Sequence, residues 1–218
     1  KEGKTDYFQQ IRIRPSYHTL LDRDSGYVEG GQIVFTDITL RYYDIDRRLE
    51  LNNIDLIDIA SLSPRDELFK SVSWKINTGL TRLPIDEGRD PLIFHLSPGG
   101  GFAFRPFSAC IIYAMFESEA DLGKLPDSAY SLGLGGSAGL LLKIKACWKL
   151  HLYAREIAHL AGEKRGDLRF SASQGFYPSR NTAIALECVR RVVREGYAPS
   201  FKGDVHSDEL AVNFNLFF

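Results

Sequence analysis

The chain has 218 residues and a formal net charge of −1, with 44% hydrophobic residues. That size allows one domain with a sizeable core or one small barrel, and the near-zero charge gives no bulk electrostatic case for nucleic acid. No apolar run reaches the ~18 residues of a transmembrane helix. A membrane barrel is not excluded by the modest mean hydropathy, because only alternate residues of its strands face lipid.

Alternation of period two runs along the chain, and helical period is scarce. From Ile11 to Leu21, Ile11, Ile13, Tyr17, Thr19 and Leu21 share a face, opposed by Arg12, Arg14, Ser16 and His18. Next, Val34, Thr36, Ile38, Leu40 and Tyr42 oppose Asp37, Thr39 and Arg41. Val72, Trp74, Ile76, Thr78 and Leu80 follow, alternating with Ser73, Lys75 and Asn77. The cleanest case is Ile144 to Arg155: Ile144, Ala146, Trp148, Leu150, Leu152 and Ala154 oppose Lys145, Cys147, Lys149, His151, Tyr153 and Arg155.

Turn-like segments rich in Gly, Pro, Asp and Ser separate these runs. They fall at residues 22–31, 44–48, 62–68, 84–91, 98–101, 118–127, 160–167, 177–180 and 196–208. Stretches 1–7, 49–61, 92–116 and 130–142 are hard to assign. The expected fold is an all-β, antiparallel up-and-down transmembrane β-barrel of twelve strands, ten being the alternative. No linker divides the chain, so residues 1–218 read as a single domain.

The last residues carry the most specific signal. Leu210, Val212, Phe214, Leu216 and Phe218 are apolar at every second position, and the chain ends on Phe. This resembles the C-terminal assembly signal of outer-membrane barrels, which implies outer-membrane lipid and the barrel assembly machinery as partners. The expected lipid-facing set is Ile11, Ile13, Val34, Ile38, Leu40, Val72, Trp74, Ile76, Trp148, Leu150, Leu152, Ile184, Leu186, Val212, Phe214 and Leu216.

Four phrases carry a further resemblance: Ser61-Leu62-Ser63-Pro64-Arg65-Asp66, the run from Phe69 to Lys75, the run from Tyr130 to Gly135, and Ser179-Arg180-Asn181. Together they resemble the C-terminal barrel region of a proteobacterial family of unknown function. In that family an N-terminal periplasmic domain is similar to the papain-like part of Lnb-type lipoprotein N-acyltransferases. The resemblance implies that this chain is the C-terminal part of a larger protein and an anchor or platform for a periplasmic domain. It assigns no reaction to these residues.

Candidate interior charges are Arg12, Arg14, Asp37, Arg41, Lys75, Lys149, Arg155, Arg169 and Glu187, with Asp58 beside them. A narrow barrel fills with such side chains, which must then pair. The alternative is a basic lumen that passes or binds an anion. A third reading, an acyl hydrolase or transferase, looks to His95 with Ser97, His18 with Ser16, and Ser179 with Asn181. Neighbours at i and i+2 lie roughly 6–7 Å apart along a strand, too far for a direct hydrogen bond. Arg65 and Asp66 suit either a turn or a docking surface. Cys110, Cys147 and Cys188 show neither metal-ligand spacing nor a disulfide framework. The Gly clusters at 99–101 and 133–139 lack the following Lys-Ser/Thr of a phosphate loop. No catalytic residue, cofactor or metal is expected.

Overall fold

A computed structural model describes residues 6–24, 26–84, 90–179, 181–195 and 204–216. Thirteen strands form one sheet: β1 (Phe8–Ile13), β2 (Ser16–His18), β3 (Gly31–Tyr43), β4 (Arg48–Ser61), β5 (Pro64–Arg65), β6 (Ser73–Arg82), β7 (Leu92–Phe107), β8 (Cys110–Leu122), β9 (Tyr130–Lys145), β10 (Trp148–Gly162), β11 (Arg165–Phe176), β12 (Thr182–Glu195) and β13 (Val205–Leu216). The order is β1-β3-β4-β6-β7-β8-β9-β10-β11-β12-β13, an antiparallel up-and-down path of eleven strands against the expected twelve. No helix occurs among the described residues.

The two short strands have simple origins. β2 continues β1 in the same register on β3, with Ile13 opposite Ile38 and Ser16 opposite Phe35. Pro15 lies between them and has no N–H to give the ladder. β5 pairs parallel with the end of β7 beyond the reach of β6, Pro64 lying beside Ala103.

The sheet curls until its edges face one another. Gln10 Nε2 on β1 donates to Asn213 Oδ1 on β13 at 2.5 Å. Arg41 on β3 donates twice to Glu209 on β13, at 2.9 Å each. No backbone pairing joins β1 to β13 among the described residues. Contacts between distant strands mark the concave face: Lys75 on β6 meets Tyr153 on β10, and Arg155 on β10 meets Ser97 on β7.

The two faces have opposite character. Exposed apolar side chains cover the convex face all round the sheet, among them Ile11, Phe35, Trp74, Phe102, Phe116, Leu134, Leu152, Phe170, Leu186, Val212 and Phe214. Buried charged or polar groups line the concave face, among them Asp37, Arg41, Glu117, Glu119, Asp121, Lys149, His159, Arg165 and Asp167. Toward one end of this interior lies a small apolar cluster, built by Leu20 and Leu62 against Ile111, Tyr113, Met115 and Leu141. Residues 19–24 are tied across it. Lys149 Nζ bonds Leu20 O and Asp24 Oδ1, Arg23 Nη2 bonds Tyr177 O at 2.6 Å, and Tyr177 OH bonds Asp22. Leu83, Ile93 and Leu125 form a second cluster at the opposite end.

Several expectations from the sequence change. Val34 is only 4% exposed and sits in the interior. The cause is Thr36, whose φ of 57° breaks the alternation, so that Val34 and Asp37 both point inward. Residues 98–101 are not a turn but the middle of β7, and Ser118–Leu122 is the end of β8. Val72 is exposed but precedes β6. The alternation from Ile144 to Arg155 spans a hairpin, not one strand: β9 ends at Lys145 and β10 starts at Trp148. A two-residue connection preserves the phase, so alternation runs through it unbroken.

Candidate functional site: a charged interior

The interior chemistry centres on β8, whose inward positions Glu117, Glu119 and Asp121 follow one another at every second residue. Glu117 is fully buried and takes three donors: Lys75 Nζ at 2.6 Å, Arg155 Nε at 2.7 Å, and the Ser137 hydroxyl. Arg155 also bonds Glu119 and gives Nη2 to Ser97 Oγ at 2.9 Å. Arg165 bonds Asp121, and Arg191 clamps Asp167 through Nε, at 3.0 Å, and Nη2. Lys75 reaches Tyr153 OH at 2.9 Å, and Tyr113 OH meets His151 Nε2 at 2.9 Å. Gly139, in register with both tyrosines, leaves room for this: a Cβ there would lie 2.5 Å from the Tyr113 ring. Glycine in a barrel strand thus makes space for a large neighbour.

The remaining sequence-derived candidates fall into separate groups. Arg14 pairs with Asp37 at 2.7 Å; Arg12 is 3.7 Å from Asp37 and donates to Thr39 Oγ1 at 3.1 Å. Asp58 accepts Gln32 Nε2 at 2.6 Å. Arg41 binds Glu209 across the seam, and Lys149 binds Asp24 at 2.5 Å. Glu187 lies within electrostatic reach of Arg12. Arg169 is exposed, in register with Arg191, and enters no ion pair among the described residues. Leu210, Val212 and Phe214 project from β13 on the convex face. Leu216 ends that strand, while Phe218 lies outside the described residues.

Among the described side chains no serine–histidine candidate forms a hydrolytic pair, and that of Ser16 lies outside them. His95 bonds Asn77 while Ser97 takes Arg155. His18 stacks on Tyr27 at 3.9 Å, and Ser179 closes a turn with Thr182 and Asn181. The turn reading of residues 62–68 fits its contacts. Asp66 Oδ1 caps the N–H groups of Leu68 and Phe69, and Arg65 lies 4.5 Å over the Phe102 ring.

The carboxylates of β8, with Ser131, His159, Arg165 and Arg191, are absent from the sequence-derived set. Their signal was the alternation Glu117, Glu119, Asp121 against Ser118, Ala120, Leu122. The Gly, Asp and Ser residues just after it pull the segment toward a turn assignment.

A curled antiparallel sheet with an apolar outside and a charged, mostly paired inside defines a barrel-like, all-β protein. The chain belongs to the family described as domain of unknown function DUF7840, which matches residues 1–205. No curated protein and no solved structure matches it.

Proposed function

We propose that this chain is a transmembrane barrel of the bacterial outer membrane that anchors, or forms a platform for, a periplasmic domain or partner protein. One observation carries the reading: exposed apolar side chains lie on the convex face of every long strand while the buried charges are gathered inside, the exposed pairs Arg190–Asp208 and Arg194–Glu156 being confined to one region of β10, β12 and β13. Water would favour the reverse arrangement, since a soluble monomer seldom exposes so large a contiguous apolar surface. Lipid accounts for it, with backbone groups paired between strands and side chains alternating lipid-out and polar-in. From β3 to β13 the strands run 10 to 16 residues, apart from the short β5, and ~9–11 tilted residues cross a bilayer. On this reading the assembly machinery engages the final strand through Leu210, Val212, Phe214, Leu216 and Phe218.

The interior favours an anchor over an anion pore. Lys75, Lys149 and Arg155 are each held by a carboxylate, and residues 19–24 are tied across one end. Gel migration before and after boiling tests the barrel, using the chain refolded in detergent and then in liposomes with protease added. A shifted unboiled band and protection in liposomes are expected; a detergent-independent, fully digested protein would overturn the reading. Leu150→Arg should weaken insertion by about 2–4 kcal/mol near the midplane. In planar bilayers the anchor predicts no steady conductance, and anion-selective steps would replace it with the pore.

A further inference from the structure

His159 lies on the inward face of β10, and its side chain is fully buried. Across the ladder on β9, Ser131 Oγ donates its single proton to the backbone oxygen of Glu163 at 2.6 Å. The same Oγ is 2.8 Å from His159 Nδ1. A hydroxyl has one proton to give, so at this second contact Ser131 accepts and Nδ1 carries the hydrogen. The tautomer is thereby fixed, and in the neutral ring Nε2 is left as a bare lone pair.

That lone pair has no hydrogen-bond partner. It faces Glu119 Oε1 at 3.5 Å, so two acceptors confront each other in a buried place. Asp121 Oδ1 is likewise buried without a partner. One ligating atom each from Glu119, Asp121 and His159 lies within 4.8 Å of the other two. The second oxygens of these carboxylates are held by Arg155 and Arg165, which orient them and leave the first oxygens free. A histidine that gives Nδ1–H to an oxygen while its Nε2 faces a carboxylate has the outer-shell arrangement of a metal ligand, and Asp121 approaches the same ring from the other side, its Oδ2 lying 3.9 Å from Nδ1. The local charge has the matching sign. Glu117, Glu119, Asp121, Glu163 and Asp167 make five buried carboxylates, and Lys75, Arg155, Arg165 and Arg191 make four cations beside them.

We propose that Glu119, Asp121 and His159 bind a divalent first-row metal ion, through His159 Nε2 and one oxygen of each carboxylate. One imidazole and two carboxylates suit Zn²⁺ or Mn²⁺ more than the all-oxygen shells of Ca²⁺. The ligands come from β8 and β10, the two neighbours of β9, so the ion would pin three strands together from inside. Because the ligands are buried, loading belongs to folding, not to later exchange.

The test is to refold the whole chain in detergent with Zn²⁺ or with EDTA, remove free metal, and measure bound zinc and thermal unfolding. About one Zn²⁺ per chain is expected, with a melting temperature several degrees above that of the EDTA-refolded protein. His159→Gln keeps a donor for Ser131 but removes the ligand, and should abolish both effects while retaining heat-modifiable migration. Co²⁺ in place of Zn²⁺ should give visible d–d absorption in the unsubstituted chain only. A folded chain that binds no zinc would overturn the site. Equal zinc binding by His159→Gln would overturn it as well.

Discussion

Asp24 is the counter-ion of two lysines at the end of the sheet, 2.8 Å from Lys143 Nζ and 2.5 Å from Lys149 Nζ. Burial alone would raise its carboxyl, but the two ammonium groups outweigh burial and hold it below the usual carboxylate range. A group with a depressed folded pKa stabilises the fold above its unfolded value, near 4, and loses that contribution as pH falls through the folded value. Unfolding midpoints in urea should therefore be level above about pH 5 and decline below about pH 4, with this part of the decline absent in Asp24→Asn. At pH 7 that variant should lose about 2 kcal/mol, the scale of a hydrogen bond to a charged group. Arg155 has a larger effect because its two carboxylates, Glu117 and Glu119, are buried. Arg155→Ala should cost about 3–5 kcal/mol, since it strands both charges. Full stability in that variant would mean that the interior is wetter than its packing indicates.

Strands show how far a sequence can be read, and where it misleads. The alternation of β3, β10 and β13 was legible because a curled sheet with unlike faces demands it. It placed Lys149, Arg155 and Arg41 inside and Leu152, Val212 and Phe214 outside. Val34 was misplaced because phase is read by extrapolation, and one residue at positive φ resets it. In β4, Leu56 sits between Asp55 and Ile57, where the register with β6 shifts, so the two adjoining strands are distorted at the same level. A β-branched residue at φ 57° is strained by about 1–3 kcal/mol, so Thr36→Gly should raise stability by about 1 kcal/mol without moving Val34 outward. A cysteine at position 34 that reacts readily with lipid-soluble maleimide would contradict that placement. The β9–β10 hairpin was invisible for the opposite reason: its two-residue connection keeps the phase, and no Gly or Pro marks it. The ion-pair partners were beyond reach altogether. Glu117 meets Arg155 across an intervening strand, and nothing in spacing along the chain encodes that.

Taken whole, the molecule is an apolar shell around a salt-bridged filling. The filling has to be paired, because unpaired charges inside would be costly. The path from β1 to β13 has eleven strands, each antiparallel to the last. An odd count makes the first and last strands run in the same direction. The antiparallel ladder that joins every other pair on the path therefore cannot join this one. Here the wall is fastened by Gln10 to Asn213 and Arg41 to Glu209, side chain to side chain. Such a fastening holds position, and among the described residues no backbone ladder adds its cooperative protection to the edge amides. The shell is then less a hoop than a clasped ribbon, and it should open at the clasp. By hydrogen exchange, amides of β1 and β13 should lose protection well before those of β8, β9 and β10, and Glu209→Gln should widen the difference. Uniform protection around the wall would mean that a further backbone ladder closes the ring.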